Sequence, residues 1–136
     1  MGYAMPQQRA HGIHFRLRAR AFVVIDYLGN RMVFGSVDLC MIMQSVKLTV
    51  VQRLQELYGD LYTNDNVVLS GIHTHAGPGG YSWYALYDVT TLGFSQQNFE
   101  ATVNGIVQAI VMAHNKVSAG GKIYMIQGEL DQSNIK

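Results

Sequence analysis

One cysteine, Cys40, is all that the chain offers for disulfide chemistry, so no internal disulfide can form and the redox compartment is left open. Two prolines, Pro6 and Pro78, interrupt 136 residues, with no linker, internal repeat or low-complexity tract to divide them. Charge is sparse: 14% of residues carry it, and 10 Lys and Arg almost balance 9 Asp and Glu. A formal charge of +1 gives no electrostatic footprint for nucleic acid, and no nucleic-acid partner is expected. No apolar run approaches the ~18–20 residues that cross a bilayer. The opening MGYAMPQQRAHG has no basic start followed by an apolar stretch, so no signal segment is expected within it. What the chain has in quantity is apolar side chains, at 49% of the sequence. That composition at this length predicts one globular domain, neither disordered nor fibrous.

Periodicity divides the chain into strands and helices. Residues 16–27, RLRARAFVVIDY, begin with period-2 alternation and end apolar, which predicts a strand entering a sheet. Leu28-Gly29-Asn30 supplies turn chemistry, and RMVFGSVDL (31–39) reads as the returning strand. From Met41 to Tyr58 the period changes to four, through Ile42, Val46, Val50, Leu54 and Tyr58, with Gly59 placed to cap the helix. NVVLSGIH (66–73) reads as a buried strand, Ser95 as the cap of a second helix reaching Asn115, and KIYMIQGEL (122–130) as a last strand. The expected fold is α/β, a mixed sheet with flanking helices.

The chemistry concentrates in SGIHTHAGPGG, residues 70–80. On an extended strand the side chains at i and i+2 share a face ~7 Å apart, which would point His73 and His75 at one place. Neutral imidazole is a common zinc ligand, and a catalytic zinc takes three protein ligands plus an open position. Spacing alone also allows one histidine to hold metal while the other moves protons, or a pair with no site at all. Glycines after a strand end let a ligand approach backbone closely, where open α/β sheets place their sites.

Other residues carry weaker signals. Asp38, after the strand, is a candidate for the site or a helix cap. His11 and His14 lack a ligand pattern, and His114 ends a helix, where the dipole favours it. Arg16, Arg18 and Arg20 line one strand face, as a solvated edge or, less simply, an anion row. Cys40 reads as a small buried hydrophobe rather than a nucleophile. Tyr81, Trp83, Tyr84 and Tyr87 fit core packing, or the lining of an apolar substrate's path. There is no GxSxG elbow or Walker loop, and GPGG alone is poor support for phosphate binding. From residues alone the reading stops at a candidate metal hydrolase.

GIHTHAGPGGY, preceded by YGDLYTNDNVVLSG, resembles the neutral ceramidase family, its plant members in particular. The likeness runs in order through MGYAMPQQRAHGIHFRLRARAF, VDLCMIMQ, LGFSQQNFEATVNGIVQAIVMAH and KIYMIQGEL, so it spans residues 1–136. It implies the N-terminal part of a catalytic domain that uses zinc to hydrolyse the N-acyl bond of ceramide to sphingosine and a fatty acid. The first histidine of the motif is a zinc ligand in the family, which maps onto His73. The second lies beside the metal's water and the nucleophilic serine, which maps a catalytic role onto His75. Ceramide as lipid substrate, a membrane surface as its source, and a secretory-pathway or cell-surface location are implied with it.

Parts of the family pattern are absent from these residues. They include the Gly-Asp-Val-Ser-Pro segment with the serine, and the other zinc ligands, a histidine, a glutamate and a tyrosine. The Asn-Arg-Ser-Pro arginine and the immunoglobulin-like domain are absent as well. The segment alone is therefore expected to be inactive. The competing expectation is a catalytically dead truncated paralogue that binds only lipid or a partner; a third, apart from the resemblance, is a small metal- or phosphate-binding module.

Overall fold

ARAFVVI and RMVFGSV, whose burial alternates residue by residue, form two strands, β1 (Ala19–Ile25) and β2 (Arg31–Val37), paired antiparallel from Ala19↔Val37 to Ile25↔Arg31. The computed structural model describes residues 7, 9, 11–129 and 131. Asp26 closes the hairpin, its carboxylate accepting from the backbone N–H of Leu28 and Asn30 and from the Asn30 side chain, while Gly29 takes φ 86°.

A parallel return needs a crossover, and α1 (Gln44–Tyr58) provides it before β3 (Val67–Gly71) pairs parallel with β2. The register runs from Val33↔Val67 to Val37↔Gly71, so both strands end at one edge. α1 begins at Gln44 rather than Met41 because Met43 is still extended. Gly59 ends it in the left-handed region at φ 61°, its N–H donating to Gln55 O. A four-residue turn of helix, α2 (Ala85–Asp88), precedes α3 (Gln96–Asn115), which Ser95 caps by accepting from Asn98 N.

α1 and α3 lie on the same face of the β1-β2-β3 sheet. Val46, Val50 and Leu54 of α1 and Val103, Ile106 and Ile110 of α3 meet Val33 and Val67, all at most 2% exposed. The outer face carries Phe22, Val24, Met32, Phe34 and Val68, each part-exposed. The α/β expectation holds, with the helices on one face rather than both.

One expected strand does not form. Among the described residues, 122–129 pair with no strand, and Ile123, Tyr124, Met125 and Ile126 are all exposed; position 130 lies outside the described residues. A strand is a partnered state, and its propensity expresses packing on neighbouring strands that this run does not meet. The opening residues through Pro6 and the closing SNIK, both used in the sequence reading, also lie outside the described residues. Among the described residues no helix is long and apolar enough to cross a membrane.

Candidate metal centre

The site grows from the shared edge of β2 and β3. Beyond Gly71, Ile72 N donates to Val37 O and His73 N to Leu39 O, both at 3.1 Å, stitching the chain to the segment that leaves β2. This stitching needs glycine at 71: a β-carbon there would lie 3.0 Å from Leu39 O and 3.1 Å from Met41 Cα. The strand stops at Gly71, and His73 adopts φ 62°, a left-handed conformation that costs a non-glycine residue about 1–2 kcal/mol. The histidines therefore do not converge by strand alternation. A backbone turn brings them together, with ring centroids 4.9 Å apart and planes at 67°.

Their Nε2 atoms are 3.2 Å apart. Two ligands on a tetrahedral zinc, each at ~2.0–2.1 Å, are separated by about 3.3–3.4 Å, so the pair fits one ion. The other edge of His73 fixes its tautomer. Nδ1 lies 3.1 Å from Cys40 O, and a carbonyl can only accept, so Nδ1 carries the proton and Nε2 keeps its lone pair. That lone pair can accept from His75 Nε2–H or bind a cation.

Cys40 completes the group: its thiol is 3.7 Å from His73 Nδ1, and candidate ligand atoms of Cys40, His73 and His75 all lie within 4.8 Å. Cys40 is buried as expected, and desolvation pushes its thiol up, which keeps it neutral and poorly nucleophilic. Its place beside His73 was missed from sequence. The signal was there, since a residue just past the end of β2 must neighbour one just past the end of a parallel β3.

Other candidates fall elsewhere. Asp38 is 7% exposed, with Oδ1 accepting from Arg20 Nη1 at 2.8 Å and Oδ2 from Arg18 N at 2.9 Å. The Arg20 hydrogen bond, aided by Arg18 N–H, holds the carboxyl below its usual range against the opposing effect of burial. Both oxygens are thus committed to Arg18 and Arg20, and the extended N-cap of α1 is Met43, so Asp38 neither caps the helix nor joins the histidines. Arg16 and Arg18 are exposed and Arg20 is paired, in keeping with a solvated edge. His11 and His14 are exposed on the segment before β1. His114 is structural: its Nδ1 lies 3.4 Å from Arg31 Nη1, which can only donate, so Nδ1 is an acceptor and takes the Tyr62 hydroxyl proton at 2.7 Å, while the Tyr58 ring lies 4.3 Å from its own.

The glycine loop is a packing hub. Gly79 O accepts from Asn98 Nδ2 and Gly80 O from Ser95 N, both at 2.7 Å. A β-carbon on Gly80 would lie 2.8 Å from Gly93 O. Beside it, a cleft of about 630 Å³ runs between residues 12–17 and Ala76–Pro78, lined by Ile13, Phe15 and Leu17 with His14 and Arg16. Of the four aromatics, only Tyr81 is core, at 1% exposed; Trp83, Tyr84 and Tyr87 are all more than half exposed, so core packing does not account for them.

Fold and site together describe part of an α/β protein that gathers histidines where its parallel strands end. Residues 1–136 match the family model described as neutral/alkaline non-lysosomal ceramidase, N-terminal, and the chain belongs to that family. It is 60% identical to neutral ceramidase A of Dictyostelium discoideum over 136 residues, 99% of this chain and 19% of that protein. With neutral ceramidase 1 of Arabidopsis thaliana the identity is 55% over 130 residues, covering 96% and 17% of the two chains. The crystal structure of neutral ceramidase from Pseudomonas aeruginosa matches with a TM-score of 0.81 at 46% identity, over 85% of this chain and 18% of that one. The chain therefore spans under a fifth of these relatives' length, and all of it falls in the part the family model calls N-terminal.

Proposed function

We propose that this chain is the N-terminal part of the catalytic domain of a zinc-dependent amidase that hydrolyses the N-acyl bond of ceramide to sphingosine and a fatty acid. The observation that carries the reading is the histidine pair: Nε2 atoms 3.2 Å apart, with His73 Nδ1 committed to the Cys40 carbonyl. When bound, zinc would supply Lewis-acid polarisation of the amide carbonyl, which matters because an amide is a poor electrophile. His73 is the ligand, through an Nε2 whose lone pair faces the site. His75 is the proton carrier, its Nε2 set 3.2 Å from the ligand nitrogen of His73, since a ring nitrogen can take a proton and pass it on. The apolar cleft beside Ala76 suits a substrate with long hydrocarbon chains, and a membrane is the source of such a substrate. Work in the secretory pathway or at the cell surface belongs to the same proposal, and immunolocalisation of the tagged protein checks it.

The 3.2 Å separation favours a second arrangement in which His75 is also a ligand. In either arrangement the segment supplies fewer than the three histidine, glutamate or other protein ligands that a catalytic zinc takes, setting aside the neutral Cys40 thiol. The test uses a fluorescent ceramide. A full-length protein carrying this segment is expected to cleave it, to lose activity to a chelator and to regain it with zinc. The 136-residue chain alone is expected to remain at background. Turnover that survives exhaustive zinc removal overturns the proposal.

A further inference from the structure

The chain beyond the glycine loop leaves and returns at one point. Ser95 N donates to Gly80 O at 2.7 Å, which closes residues 81–94 into an Ω-loop seated on the turn that follows His75. Its base is anchored: Tyr81 is buried with its hydroxyl donating to Met41 O, and Ser45 Oγ donates to Tyr81 O. Its outer part has fewer ties, a hydrogen bond from Tyr84 Oη to Gln44 Oε1 and the Trp83 ring 6.4 Å from that of Phe99, and stays largely exposed. Trp83, Tyr84, Leu86, Tyr87, Val89 and Leu92 are 51–93% exposed. Between Ala76 and Phe99 the sole acidic or basic residue is Asp88, and it is buried at 4% exposed.

Apolar surface of this extent, without charge, marks an interaction site. Its composition says with what. The outer face of the sheet is also uncovered, but it presents Phe22, Val24, Met32, Phe34 and Val68 on a regular pleat, the surface another layer of polypeptide packs against. The loop instead combines leucine with tryptophan and tyrosine, whose apolar bodies and polar tips suit the boundary between hydrocarbon and water. Because it exposes no cation, its attraction to a bilayer is hydrophobic and not directed at anionic headgroups.

We infer that residues 81–94 form an interfacial loop that inserts Trp83, Leu86 and Leu92 into the surface of a neutral bilayer and so brings the histidine site to its lipid. This rests on the ceramidase reading, because a membrane-borne substrate is what gives such a loop its use. Trp83 is the sole tryptophan, so its fluorescence reports on the loop directly.

The experiment adds phosphatidylcholine vesicles to the chain and follows Trp83 emission, with brominated acyl chains as quenchers. A blue shift with quenching, unchanged between low and high salt, is expected. Leu86→Asp with Leu92→Asp should lower partitioning at least about tenfold, since it removes two leucines from the buried surface and adds charge. Both sites are highly exposed, at 82% and 93%, so the fold should tolerate the change. The milder Leu86→Ser with Leu92→Ser should fall between, and Phe22→Asp on the sheet should leave binding intact. No shift, binding abolished by salt, or loss only in Phe22→Asp would overturn the inference. The vesicles contain no ceramide, so failure here leaves the amidase reading standing. Absence of ceramide turnover in the full-length protein would count against that reading alone.

Discussion

Two histidine sites lie at opposite ends of β2, and they differ in what their nitrogens face. At the start of the strand, His114 is half-buried, accepts from Tyr62 at Nδ1, lies against Tyr58 and neighbours Arg31, whose Nη1 also approaches the Tyr62 hydroxyl at 3.3 Å. At the far end, His73 and His75 are exposed and turn their Nε2 atoms toward each other. The first arrangement uses a histidine as a joint between α3, β2 and the segment after α1. The second holds one ring by its back edge and leaves the front edge directed at its neighbour, which is how a ligand is prepared. A histidine's role is read from which nitrogen the protein has already engaged.

Substitutions can break that contrast, and the largest effect should fall on His73. In a full-length protein, His73→Ala is expected to take ceramide turnover to background together with bound zinc, whereas His114→Ala should keep both and lose stability. Metal analysis beside turnover decides this; zinc retained in His73→Ala would remove it as ligand. Next comes His75→Ala, expected to lower turnover by about 10²–10⁴ while most of the metal stays. Equal zinc loss in the two variants would make both histidines ligands.

Smaller effects sharpen the structural end. Tyr62→Phe deletes one hydroxyl that is shared by His114 and Arg31, and should cost about 1–3 kcal/mol in urea unfolding without altering zinc content. The smallest effect concerns Asp38. Its carboxyl is held below its usual value of 3.8 in the fold, chiefly by Arg20, so its contribution is present above the unfolded value and is lost as pH falls through the lower folded one. Asp38→Asn should therefore flatten the acid limb of stability below about pH 4. An unchanged acid limb would mean that the Arg20 pair is not formed in solution.

Much of this was legible in sequence where the cause is local. Alternation marked the start of β1, a period of four marked α1, and Leu28-Gly29-Asn30 had the composition of a turn before the returning β2. The resemblance carried by HTHAGPGGY identified the family. What stayed hidden depends on contacts between distant segments. The turn at His73 is imposed by Leu39 and Cys40 carbonyls, more than thirty residues away in sequence, so an extended HTH was the natural expectation. KIYMIQGEL has the pattern of a strand, but pattern cannot supply a neighbour. Aromatic spacing after the glycine loop suggested a core, and only the closure of residues 81–94 on Gly80 shows which rings face outward.

The acceptor that steadies His73 is a main-chain carbonyl, not a side chain. Every amino acid brings that carbonyl with it, so the orienting contact cannot be deleted by changing residue 40. Substituting Cys40 alters volume at a buried position and leaves the handhold in place. The site is thereby insulated against drift at the residue nearest to it. Its vulnerability lies instead at Gly71, where a single added methyl would crowd the backbone of Leu39 and Met41 on either side of that carbonyl.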